Sequence, residues 1–244
     1  MKTWIVGLAP IVALAAVIGG SYSAPGVRLG VAVLVAALFG LGWPHYLGIP
    51  AKKTLGVIIA LAGACSAVGA AFTAGPGYLD QAPIFIALGI GSVFAVQLVR
   101  GTGQIHRLES TLGAGAGVAM SAMGAGWIAA HRFTGDGGMT LVTGVAALVA
   151  LGVGLLRWPD RIVAPLGMVL ATLAGPLAAM VLTDFSLLPA AVVSAVVAAI
   201  VMAFRKLSSL AGAPRSVPGA LAMGLAPVSS LGALVYFIDK LLIT

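Results

Sequence analysis

The sequence predicts an all-α protein, a polytopic bundle of about nine transmembrane helices, and three observations carry that reading. Of the 244 residues, 61% are hydrophobic and only 8% charged, against roughly a quarter charged in a soluble domain. Apolar stretches of about 18 or more residues recur along the whole chain, the length a helix needs to cross a hydrocarbon layer about 30 Å thick. Glycine is abundant, at 34 residues, and aromatic residues make up only 7%. Such a composition weakens soluble helices but lets membrane helices approach closely.

In chain order the spans fall at 3–20, 28–43, 54–74, 83–99, 110–130, 139–156, 162–182, 187–204 and 218–238, with an even count left open at the ends. The connections are short, so residues 1–244 read as a single integral membrane domain. The first span follows Met-Lys-Thr-Trp like a secretory signal. Tyr22 fits poorly before a cleavage after Ala24, however, and eight spans follow, so an uncleaved first helix is expected.

Span two ends in "GWPHYLGIPAKK" (42–53) and span six in "LRWPDR" (156–161). Trp43 and Trp158 are expected at the headgroup level, the prolines to end each helix, and the basic residues after them to hold the loop inside. Span three carries Cys65, the single cysteine. That excludes an internal disulfide and a multi-cysteine metal site, and a small core residue is expected there. Span five, "STLGAGAGVAMSAMGAGWIAA", places Gly113, Gly115, Gly117, Gly124 and Gly126 on more than one side. It reads as a central helix, either tightly packed or flexible beside a substrate.

Prolines interrupt spans one, seven and nine at Pro10, Pro176 and Pro227, and the first and ninth share Gly-Leu-Ala-Pro at 7–10 and 224–227. Each proline removes a helical donor and frees a carbonyl. Transporters place such breaks at binding sites, although in other membrane helices proline only adds a kink.

Alternate loops sort the basic residues. Lys2, Lys52, Lys53, Arg100, Arg107, Arg157, Arg161, Arg205, Lys206 and Arg215 fall on one side, ten in all, and Arg28, Arg132 and Lys240 on the other, together the 13 in the chain. The positive-inside rule then puts the N-terminus inside and the C-terminus outside. The same sorting explains the net charge of +7 without nucleic acid, for which no basic tract is present.

Internal offsets suggest a parallel duplication of four helices, 1–105 and 106–210, plus the extra helix 218–238. Val35-Ala36-Ala37-Leu38 answers Val145-Ala146-Ala147-Leu148, Trp43 answers Trp158, Asp80 and Pro83 answer Asp184 and Pro189, and Arg100 answers Arg205. Generic placement of Trp, Pro and Arg at membrane interfaces is the alternative.

The carboxylates Asp80, Glu109, Asp136, Asp160, Asp184 and Asp239 all fall at span ends or in loops, which disfavours coupling through an acid at the midplane. Asp80 and Asp184 share the outer side, as solvated residues or as an outward-facing cation site. His45 and His106 lie on the inner side and His131 on the outer, so they do not converge on a metal. Paired aspartates for magnesium, a phosphate-binding Gly-rich loop and a Ser-His or Cys-His pair are missing, which leaves an enzyme unsupported and no cofactor called for.

The segments "GWPHYLGIPAKKTLGVIIALAG" and "HRLESTLGAGAGVAMSAMGAGWIAA" resemble parts of uncharacterised multi-pass membrane proteins of high-GC actinobacteria, some of them labelled permeases. The resemblance covers about the first half of the chain. It implies a bacterial cytoplasmic (inner) membrane and transport, and brings no functional residues.

The function expected is that of a permease or lipid-handling carrier for a neutral or amphipathic substrate, with membrane lipids as its partners. The candidate polar cluster is Ser229 and Ser230 beside Pro227, with Thr172 and Pro176 of span seven and Ser121 of span five. The basic inner rim could also hold an anionic headgroup. The rival reading is a noncatalytic scaffold subunit in an envelope-synthesis or secretion complex, bound to another membrane protein, with a solid interior and an apolar outer groove.

Overall fold

A computed structural model describes residues 2–101, 107–156, 158–183 and 186–243. Those residues form ten α-helices and no strand: α1 Lys2–Ser21, α2 Pro25–Leu47, α3 Lys52–Phe72, α4 Ala82–Val99, α5 Arg107–Met123, α6 Gly126–Thr134, α7 Gly138–Gly154, α8 Asp160–Leu182, α9 Leu187–Ala211 and α10 Val217–Ile243. Eight segments are long and apolar enough to cross a membrane when α5 and α6 are taken together as Arg107–Thr134, and α7 is a shorter apolar helix. With no lipid-free alternative for so much outward-facing hydrocarbon, the chain is a multi-pass membrane protein.

Contacts at the two ends of the bundle fix the helix directions. At one end the Arg205 side chain of α9 meets the last carbonyl of α7 and Asp160 at the start of α8, and Gly42 near the end of α2 lies against the Pro218 carbonyl at the start of α10. At the other end Arg132 of α6 donates to the Ala70 and Thr73 carbonyls that close α3, at 2.8 and 3.0 Å, and Tyr236 of α10 donates to Pro76 O at 3.0 Å. Successive spans therefore alternate in direction, with α5 and α6 as one broken span. The Arg132 guanidinium stacks over the Tyr78 ring at 4.4 Å, so a cation neutralises the carbonyl end of α3.

Close packing rests on small residues. A Cβ at Gly40 would collide with the backbone of Ala60, and one at Gly126 with the backbones of Gly232 and Ala233. These are points where α2 meets α3 and α6 meets α10 without side chains between them. The ninth span, α10, is the most enclosed, packing on α1, α2, α5, α6 and α9.

Three expectations need correction. The second helix does not end at its proline: Pro44 is buried inside α2, which runs to Leu47 and stops at Gly48 in the left-handed region, φ 68°. Trp43 is not a headgroup anchor, being 8% exposed, donating from Nε1 to Gly113 O at 2.9 Å and lying against Phe39 and Tyr46. Trp158 is 54% exposed, so the two Trp-Pro turns differ in kind. Cys65 is exposed on the outer face of α3 and not in the core.

The halves share part of a packing scheme: α2 packs on α3 as α7 packs on α8, and α5 meets α2 as α1 meets α7. They differ where α7 also packs on α9, a contact that α2 does not match with α4. Asp184, one anchor of the internal correspondence, lies outside the described residues.

Candidate functional site

The fifth span breaks at its centre. Gly124 N–H bonds back to Ser121 O, Ala125 to Ala122 O and Trp127 to Gly124 O, each reaching three residues back, which is the tighter 3₁₀ pattern. The turn redirects the chain so that Trp127, in the first turn of α6, donates from Nε1 to Val228 O of α10 at 2.9 Å. The Met123 and Gly124 carbonyls and the edge of the Trp127 ring lie against Gly232.

Around this break lies a first, narrow cavity of about 30 Å³, reaching from Ser21, Arg28 and Thr140 at one bundle end to Ser121 and Ser229 at the centre. The hydroxyls of Ser121, Thr140 and Ser229 are 1–2% exposed, and none of their oxygens has a hydrogen-bond partner. The half-buried Arg28 also presents a buried Nε with no partner. A buried polar atom left unpaired costs about 1–3 kcal/mol, so a polar guest here gains interactions that the protein alone does not supply. Among the described residues no carboxylate lines this cavity.

A second cavity of about 150 Å³ opens at the opposite end, between the first half of α1, the ends of α7 and α9 and the first half of α10. Pro10 and Pro227 both line it, together with Val6 and Met223, whose carbonyls stand four residues before each proline and so lose their helical donor. The shared Gly-Leu-Ala-Pro segments meet here, with Gly224 against the Val6 carbonyl, Ala9 and Pro10. Arg205 closes one side, donating from Nε to Gly154 O at 2.9 Å and from Nη1 to Asp160, while Lys206 reaches the other Asp160 oxygen at 3.1 Å. A wider recess beside Trp4, Leu8 and Leu156 continues from it.

The two cavities approach each other on α10. Pro227 faces the second and Ser229 the first, about 3 Å apart along the axis at 1.5 Å per residue but on opposite sides of the helix, so that the body of α10 separates the two cavities. Val228, between them in sequence, is fully buried and its carbonyl accepts from Trp127.

Of the residues singled out from sequence, Ser121 and Ser229 come together on the first cavity and Pro227 lies on the second. Ser230 turns away, its hydroxyl bonded to Ala226 O of its own helix at 2.9 Å. Thr172 and Pro176 do not join the cluster, because α8 packs on α7 and α9 and neither residue lines either cavity. Pro10, Pro176 and Pro227 all lie within continuous helices. Sequence reasoning missed Arg28, Thr140 and Trp127. The available signal was that Arg28 is a basic residue on the sparse side, at the very start of an apolar span.

The other polar groups lie apart. His45 Nδ1 pairs with Leu41 O on its own helix, His106 and Asp184 lie outside the described residues, and Asp80 is exposed. Asp239 is fully buried near the end of α10, and neither of its oxygens has a hydrogen-bond partner. Among the described residues no three His, Cys, Asp or Glu side chains gather as metal ligands. No protein-family model, curated protein or solved structure matches the chain.

Proposed function

We propose that the protein is a permease or lipid-handling carrier of the bacterial inner membrane, moving an amphipathic substrate between two half-channels that meet at Pro227-Val228-Ser229. The observation that carries this reading is the pair of cavities at opposite bundle ends, approached within three residues of one helix. Partnerless hydroxyls on one side and proline-freed carbonyls on the other give a polar group successive hydrogen-bonding partners in place of water. The segment between them is the part of α10 that lacks a backbone donor, which lowers the cost of moving it. The N-terminus is placed inside and the C-terminus outside, on the ten-to-three sorting of Lys and Arg.

The scaffold reading expects a bundle packed solid within and an apolar outer groove; an apolar groove is present between α1 and α2, while the orphaned hydroxyls around the first cavity favour the carrier. The test is reconstitution in vesicles with acyl-labelled fluorescent lipids and a membrane-impermeant quencher added outside. A carrier exposes inner-leaflet label faster than empty vesicles do, and Ser229→Ala slows it without lowering thermal stability. Exchange no faster than in empty vesicles, across anionic and zwitterionic lipids, would remove lipid handling.

A further inference from the structure

We propose that the first cavity and the seam between α1 and α2 together bind one anionic phospholipid, its phosphodiester on Arg28 and the cavity hydroxyls and an acyl chain along the seam. The role of this site in transport rests on the carrier reading; the binding itself does not.

The seam is a groove of about 360 Å³ with an apolar lining, along Ile5, Leu8, Val12 and Ala16 of α1 and Leu34 and Leu38 of α2. It exists because α2 packs chiefly on α3 and α10 and leaves α1 at a distance. From Ile5 to Ala16 the groove runs for about 16 Å at 1.5 Å per residue, from the half of α1 beside the second cavity toward the Arg28 end, a length close to half the hydrocarbon thickness of about 30 Å. Val12 is 65% and Leu34 57% exposed, so the groove is open sideways to lipid.

The groove and the cavity adjoin, with Val31 and Val35 lining both. An occupant of the groove whose polar end enters the cavity meets Arg28 together with Ser121, Thr140 and Ser229, which have no partners of their own. A guanidinium offers donors only, and a hydroxyl can donate as well as accept. With no carboxylate in the lining among the described residues, the polar end is matched to an anion. Arginine's planar fork suits phosphate oxygens. A free anion would satisfy the same groups, but it would leave the adjoining groove unexplained.

The test is thermal stabilisation of the purified full-length protein in neutral detergent, titrated with short-chain phosphatidylglycerol, phosphatidylcholine of the same chains, or inorganic phosphate. Saturable stabilisation by phosphatidylglycerol at the lowest concentration is expected. Arg28→Gln should weaken it about tenfold or more, the scale of a lost charge-assisted hydrogen bond, with Arg28→Lys restoring part. Val12→Trp, a change at an exposed position that fills the groove, should weaken it with Arg28 intact. Equal affinity for phosphatidylcholine, an unchanged Arg28→Gln variant, or phosphate acting as strongly as the lipid would each overturn the proposal. The two readings separate cleanly: binding with this selectivity but no transport removes only the carrier. Transport whose headgroup preference survives Arg28→Gln removes only the lipid site.

Discussion

The indole nitrogen of Trp127 donates to the carbonyl of Val228 at 2.9 Å, tying the first turn of α6 to the residue between Pro227 and Ser229. The bond exists because the fifth span breaks at Gly124 and Ala125; an unbroken helix would carry residue 127 along the axis of α5. Its position makes the broken span a brace for the partition in α10.

Trp127→Phe keeps most of the ring volume and removes that donor. It should lower stability by about 0.6–2 kcal/mol, the range for interhelical hydrogen bonds in membranes. If the brace holds the partition closed, the variant should also raise the rate of lipid exchange. Thermal unfolding in detergent and the vesicle assay read the two effects separately.

Two glycines of the fifth span should respond oppositely to the same change. Gly126→Ala drives a methyl group into the backbones of Gly232 and Ala233, and overpacking against backbone costs about 1–3 kcal/mol or more. Gly115 has nothing within 4 Å of an added Cβ, so Gly115→Ala should be neutral or stabilising by up to about 1 kcal/mol. Comparable loss in both would mean that α6 and α10 do not cross at Gly126.

Neighbouring serines also part company. Ser229→Ala removes a partnerless hydroxyl that faces the first cavity, and should impair transport without lowering stability. Ser230→Ala removes only a bond to Ala226 O on its own helix, and should leave transport intact. The reverse order of effects would turn the wrong face of α10 toward the cavity.

The helical class, the membrane-crossing spans and their alternation were legible in sequence because apolar length and the sorting of charge are local properties. The break in the fifth span was half legible: its glycines announced close packing, but helix-compatible residues on both sides hid the turn. Pro44 and Trp43 misled for a shared reason. Proline and tryptophan have strong average preferences for helix ends and interfaces, and here the packing of α5 against α2 overrides both, with the Gly113 carbonyl supplying a partner for the indole. Which side of α8 or α10 faces a cavity depends on helix rotation, so Thr172 could not be told from Ser229 by sequence.

That contrast gives a further prediction for the two Trp-Pro turns. Trp43→Phe should cost about 1 kcal/mol through the lost bond to Gly113 O, whereas Trp158→Phe, at an exposed position, should change stability little. Equal costs would restore the two turns as equivalent parts of a duplication.

The most direct test of the central claim, two cavities from opposite sides meeting on α10, is thiol accessibility in sealed vesicles of known orientation. In a Cys65→Ala background, Ser229→Cys and Met223→Cys are each exposed to a small membrane-impermeant methanethiosulfonate from one side at a time. The account predicts that Ser229→Cys reacts faster from the side of Arg28 and Met223→Cys faster from the side of Arg205. Faster reaction of both from the same side, or of neither from any side, would contradict it.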